Sequence, residues 1–153
     1  MIQTIGFFPR YVAEGMTFDD TFAVISITDP EQKEANIIGT ENVLRLRFMD
    51  ITPEMIPEEK RIFTDMHAQK IMAFIRLMNE RGVEKVFVHC EAGISRSAAV
   101  ALSLYTYLDC DFKQYTQADF ANPHIVATMQ KLIDKPIVIP EKQKPASGII
   151  TFF

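Results

Sequence analysis

The sequence predicts an α/β fold: a central, mixed but mostly parallel sheet of about four or five strands, flanked by helices. Three observations carry this expectation. Residues 22–27 and 86–88 are short apolar runs, rich in β-branched and aromatic side chains and bounded by turn residues, as buried strands are. Residues 64–81 form one strongly periodic helix lying between two strand candidates, which suits a crossover between parallel strands. Residues 86–88 lead through a tight loop, 89–96, into a segment from Ser97 that is apolar almost all round, so a buried strand passes directly into a buried helix.

Taken in order, the chain opens with Ile2, Ile5, Phe7 and Phe8, a short strand ended by Pro9. Residues 10–20 read as loop or a single turn. The run 22–27 stops at Thr28-Asp29-Pro30, a turn signal. Residues 31–40 are polar and read as loop or weak helix. Leu44, Leu46 and Phe48 then alternate with Arg45, Arg47 and Met49, the period of a strand with one apolar face. Asp50 stands at the end of that strand.

In the long helix, Thr64 is the expected N-cap, with Asp65 in the first turn. Ile71, Phe74, Ile75 and Met78 make its buried stripe, Gly82 stops it, and His67 is a surface or boundary histidine. After the buried helix, 109–111 is a helix end. A short helical piece is expected near Thr116. Asn122 and Pro123 match N-cap and N1 of a last helix with the stripe Ile125, Val126, Met129, Leu132 and Ile133. Residues 135–153 are a tail or extended edge segment of a single 1–153 domain, with an apolar final five residues that dock on the body or a partner.

Composition excludes several classes. The chain has 153 residues, 48% hydrophobic and 24% charged, enough for one sizeable core and unlike a disordered chain. A net charge of −4 supplies no general field for nucleic acid or anionic membrane. No apolar run approaches the ~20 residues of a membrane span, and the start lacks the layout of a signal peptide. Two cysteines are too few for a disulfide framework, which points to a reducing cytoplasm. No zinc spacing, internal repeat or low-complexity block is present.

The chemistry lies in the loop. Cys90 and Arg96 are separated by five residues, with Gly93 among them and Ser97 after. Curled around one centre, the backbone N–H groups of Glu91, Ala92, Gly93, Ile94, Ser95 and Arg96 form an anion nest, reinforced by the following helix N-terminus. Gly93 permits a conformation that a side chain resists. Arg96 offers a planar fork to two phosphate oxygens. The same positive field favours a thiolate at Cys90, a nucleophile beneath a bound phosphorus atom.

His89-Cys90-Glu91-Ala92-Gly93-Ile94-Ser95-Arg96-Ser97 resembles the signature of the cysteine-dependent protein tyrosine phosphatases, and the short chain resembles their dual-specificity branch. Cys-x5-Arg alone is a weak signal; the added His, Gly and final Ser make it specific. The resemblance implies a dual-specificity phosphatase-like fold, a phosphocysteine intermediate, and neither metal nor other cofactor. It makes Asp50 the general acid, with Asp65 as rival, and Ser97 a hydrogen-bond donor to Cys90. His89 becomes a supporting partner that orders the loop. The separation of Asp50 from Cys90 is long and implies an insertion around 51–63, whereas the region 112–133 is abbreviated.

With Glu91, Ala92, Ile94 and Ser95 between Cys90 and Arg96 there is no lysine in the loop. That favours phosphorylated proteins or peptides, tyrosine first, over inositol lipids. Two other readings stay open. An RNA 5′-triphosphatase on the same fold requires a basic groove, for which Arg45, Arg47, Lys60 and Arg61 are the candidates. A phosphate-binding adaptor needs no nucleophile. Cys110 reads as a semi-buried filler, with a resolving thiol for oxidised Cys90 as the lesser alternative. Oligomeric state is not legible.

Overall fold

The computed structural model describes residues 1–142. Its strands are β1 (Thr4–Pro9), β2 (Phe22–Thr28), β3 (Val43–Arg47) and β4 (Lys85–Cys90). They form one sheet in the order β1-β4-β2-β3. Every pairing is parallel, so among the described residues the sheet is purely parallel, not mixed. Parallel neighbours require crossovers, and each connection between successive strands is long enough to provide one. The final five apolar residues, expected to dock, lie outside the described residues.

The helices are α1 (Arg10–Gly15), α2 (Asp65–Glu80), α3 (Arg96–Leu108) and α4 (Pro123–Gln130), with a 3-10 segment at Tyr115–Phe120. The strands alternate their side chains between two cores, as the pleat requires. Ile5, Ala23, Ile25, Ile27, Val86 and Val88 join residues of α2, α3 and α4 in the larger one. Phe8, Val24 and Phe87 meet Ala13 of α1 and Phe18 in the smaller one. There Phe8 stacks on Phe87 at 4.3 Å between ring centroids.

The crossover from β3 to β4 is α2. Thr64 caps it, as expected, and receives help from an unexpected place. The Thr64 N–H donates to Nδ1 of His67 at 2.9 Å, so His67 fills the role that Glu or Gln takes in a capping box. Within the stripe Met72 is buried and Phe74 only partly so. In α4, Asn122 is the N-cap, its side chain accepting from the N–H groups of His124 and Ile125. Leu132 does not belong to that helix's buried stripe: it is 42% exposed, because α4 ends at Gln130 and the period is lost beyond it. Residues 135–142 run without regular structure. They are tied back by Gln130, whose Oε1 accepts from the Ile137 N–H at 2.8 Å.

The expected insertion is a turn-rich loop closed at its base, where the Met49 N–H donates to the Arg61 carbonyl at 2.7 Å. Phe48 and Phe63 meet edge-on at 5.1 Å below it, and both contact the His67 ring at the start of α2. This aromatic cluster anchors the loop that carries Asp50. Phe63→Ala is expected to lower the unfolding free energy by about 3–5 kcal/mol, measurable by urea denaturation.

Candidate active site

Strand β4 ends at Cys90 and helix α3 begins at Arg96. The loop between them lies at the carboxyl end of the sheet, where open α/β sheets place ligands. Cys90 is 2% exposed. Its Sγ is 3.0 Å from Ser97 Oγ and accepts from the Gly93 N–H at 3.3 Å. The sulfur thus gathers an amide and a hydroxyl at the N-terminus of α3.

Gly93 has φ +68°, and a Cβ there would stand 2.3 Å from the Pro9 nitrogen and 2.5 Å from the Phe8 carbonyl carbon. The loop therefore leans on the end of β1, and only glycine fits the approach. Glu91 faces α1: its carboxylate meets Arg10 Nη1 at 3.0 Å, and its carbonyl accepts from the Arg10 N–H at 3.3 Å. Ala92 and Ile94 are exposed. Ser95 Oγ donates to Asp50 Oδ1 at 2.9 Å.

Arg96 is buried at the point where three elements converge. Its Nη1 donates to Asp29 Oδ1 at 2.7 Å, just past β2, and to the Phe48 carbonyl at 2.9 Å, just past β3. Its Nε is buried with no hydrogen-bond partner among the described residues. A buried N–H on a permanent cation is costly to leave unpaired. One corner of the guanidinium is thus fixed by protein. The segment bearing Asp29 is itself held by the edge strand. Arg47 Nη1 donates to the carbonyls of Asp29 and Pro30, each at 3.4 Å, and to that of Gln32, while Arg45 Nη1 donates to the Ala35 carbonyl at 2.9 Å.

Asp50 is brought to the loop, and Asp65 is not: Asp65 pairs at the surface with Lys131 at 3.1 Å. Asp50 Oδ1 accepts from Ser95 Oγ and also from Asn122 Nδ2 at 3.0 Å. Asn122 further donates to the Ile51 carbonyl at 3.2 Å, and its backbone N–H donates to the Ser95 carbonyl at 3.1 Å. Sequence reasoning saw Asn122 only as a cap and Asp29 only as a turn residue.

His89 is fully buried, with Nε2 2.6 Å from Ser26 Oγ on β2 and Nδ1 3.4 Å from the Cys90 carbonyl. Burial pulls its pKa down to about 4, against the weaker opposing pull of the Cys90 carbonyl, so it is neutral near pH 7. Cys110 follows the far end of α3. Thirteen helical residues make α3 roughly 20 Å long, with Cys90 before its start and Cys110 beyond its end; both cysteines are free, and burial pushes the Cys110 thiol up to about 11. This arrangement supports the reading of Cys110 as a semi-buried filler.

Three of the four residues named for a basic groove, Lys60 being the fourth, have acidic neighbours. Arg45 and Arg47 pair with Glu34, and Arg61 with Glu31 and Glu59. Among the described residues no three His, Cys, Asp or Glu side chains gather as a metal site, and no helix is long and apolar enough to cross a membrane.

No protein-family model and no curated protein matches the chain. Several solved chains are similar to it, among them two phosphatase-type structures by their names. Tk-PTP in its active form is 16% identical, over 92% of this chain and 84% of that one, with a TM-score of 0.42. PTPMT1 is 19% identical, over 88% and 81%, with a TM-score of 0.41. Likenesses this loose carry no argument about chemistry, which rests on the loop and its neighbours.

Two outcomes follow from this geometry. Gly93→Ala meets both a backbone clash and a disfavoured φ, and is expected to cost about 2 kcal/mol or more in thermal unfolding. The second concerns pH. His89 binds a proton more readily unfolded, near 6.5, than folded, near 4. Its contribution is therefore complete above pH 6.5 and is lost as pH falls toward 4, on the order of 3 kcal/mol. His67, whose pKa burial also lowers, adds to the same trend. Denaturant midpoints measured from pH 7 to 4 should decline, and His89→Gln should flatten the decline.

Proposed function

We propose that this chain is a phosphomonoester hydrolase, a cysteine-dependent protein tyrosine phosphatase of the dual-specificity type. The observation that carries the reading is the pairing, in one loop, of a sulfur that accepts from the Gly93 N–H and lies 3.0 Å from the Ser97 hydroxyl with a buried guanidinium whose Nε has no partner among the described residues. Asp50 lies within hydrogen-bond reach of that same loop, which supports its assignment as the acid.

The scheme starts with a dianionic phosphate in the nest. Its oxygens accept from the N–H groups of Glu91 to Arg96 and from Arg96 Nε. Those donors are preorganised for the charge that spreads over the equatorial oxygens in the transition state. The Cys90 thiolate attacks phosphorus in line, the P–O ester bond breaks, and Asp50 protonates the departing oxygen. Asp50, now a carboxylate, takes a proton from the water that attacks the phosphocysteine. The S–P bond then breaks, the sulfur leaves as a thiolate stabilised by Ser97, and inorganic phosphate departs. Neutral His89 orders the loop through Ser26 and takes no substrate proton. The chemistry assigns every step to a side chain and calls for no cofactor.

The substrates are phosphorylated proteins or peptides, phosphotyrosine first. The lack of lysine in the loop weighs against inositol lipids, and the pairing of Arg45, Arg47 and Arg61 with carboxylates weighs against a nucleic-acid groove. A nucleophile that must stay reduced fits a cytoplasmic setting.

An aryl phosphate tests the reading. Wild type should turn it over, and Cys90→Ser should abolish turnover while retaining binding of inorganic phosphate or vanadate. Asp50→Asn should lower kcat about 10²–10⁴-fold and remove the fall in rate on the alkaline side. No turnover by wild type, or turnover kept in Cys90→Ser, overturns it.

A further inference from the structure

We infer that Asn122 is a positioning residue that fixes which oxygen of Asp50 carries the proton, coupling the acid's loop to the phosphate loop. The inference rests on the reading of Asp50 as general acid and goes beyond it.

The orientation of an amide side chain is usually an assignment. Here the chemistry decides it. Asn122 caps α4, and two backbone N–H groups, those of His124 and Ile125, converge on Oδ1 at 3.0 and 3.2 Å. Only the carbonyl end can accept both. The NH2 end must therefore face the other way, and there it meets Asp50 Oδ1 and the Ile51 carbonyl, at 3.0 and 3.2 Å. Asn122 is itself buried, so neither end is free to swing out.

The consequence falls on Asp50. The Nδ2 group can only donate, and Ser95 Oγ donates to the same atom. Oδ1 is thus occupied as an acceptor twice over, which leaves the labile proton on Oδ2. In the first chemical step the ester P–O bond breaks, its electron pair goes to the leaving oxygen, and the Oδ2 proton follows. The arrangement is tied to the phosphate loop at both ends, because the Asn122 backbone N–H donates to the carbonyl of Ser95, whose hydroxyl reaches Asp50. A cap alone requires none of these contacts.

Asn122→Thr separates the two roles. A threonine hydroxyl caps a helix, but it has no second polar end to turn toward Asp50. Asn122→Ser is the second variant: it also caps, and it lacks the amide. Each is assayed in the full chain with two aryl phosphates, phenyl phosphate, whose leaving group needs a proton, and 2,4-dinitrophenyl phosphate, whose leaving group does not. Thermal unfolding accompanies both. The expected result is a 10- to 100-fold loss of kcat on phenyl phosphate and less than a 3-fold loss on the dinitrophenyl ester. Adding either change to Asp50→Asn should cost nothing further, since the group being positioned is already gone.

Equal losses on the two esters, or a full additional loss in the Asp50→Asn background, would show a merely structural residue and overturn the inference. That failure is distinct from failure of the phosphatase reading. If wild type is active and Asp50→Asn discriminates the leaving groups while the Asn122 variants do not, only the role of Asn122 falls. If wild type hydrolyses neither ester, both fall together.

Discussion

A single nitrogen, Nη1 of Arg96, holds the ends of three elements together. It joins the start of α3 to Asp29 beyond β2 and to the Phe48 carbonyl beyond β3. Burying a guanidinium is tolerable only where its donors find acceptors of good geometry, and these two acceptors exist because the strands are parallel and end on the same side. The topology thus creates the place where a cation can be kept, and the cation in turn sets how far apart the strand ends lie. Arg45 and Arg47 extend the arrangement by one shell. They clamp the 29–35 segment by its carbonyls, so the carboxylate facing Arg96 is backed by the edge strand and does not float on an open loop.

The same convergence explains the position of the acid. Phe48, whose carbonyl accepts from Arg96, is only two residues before Asp50. The aromatic cluster with Phe63 and His67 fixes the base of the intervening loop. Asp50 is therefore referenced to the phosphate loop in three ways: through its own strand end, through Ser95 and through Asn122. A carboxyl on a turn-rich loop gains its precision from these contacts and not from regular secondary structure, which suits the tight geometry that proton transfer demands.

Much of this was legible in the sequence because it is local. The strand–loop–helix order around Cys90, the need for Gly93, the caps Thr64 and Asn122, and the alternation before Asp50 are all written within a few residues. What was hidden was long-range or double in purpose. Asp29 precedes a proline at a strand end, and that turn chemistry accounts for it so fully that a partner 67 positions away leaves no trace. Asn122 is likewise explained by its cap, which uses one end of the amide and says nothing of the other. His67 read as a boundary residue because a histidine at N3 is an uncommon cap partner. Leu132 was assigned to a stripe that the helix does not live long enough to continue. Arg45 and Arg47 read as available charge, yet their guanidinia are consumed by backbone carbonyls that no pattern announces.

The placement of the two cysteines has a consequence for the protein's exposure to peroxide. The chain has only these two cysteines, and α3 keeps them at its opposite ends. A sulfenic acid formed at Cys90 has no sibling thiol at its own end of α3, which leaves it three routes: a thiol from outside the chain, a sulfenamide with a neighbouring backbone nitrogen, or irreversible sulfinic acid. Reversal of oxidation is thus a matter for the loop's own backbone or for soluble reductant, and not for an internal bridge.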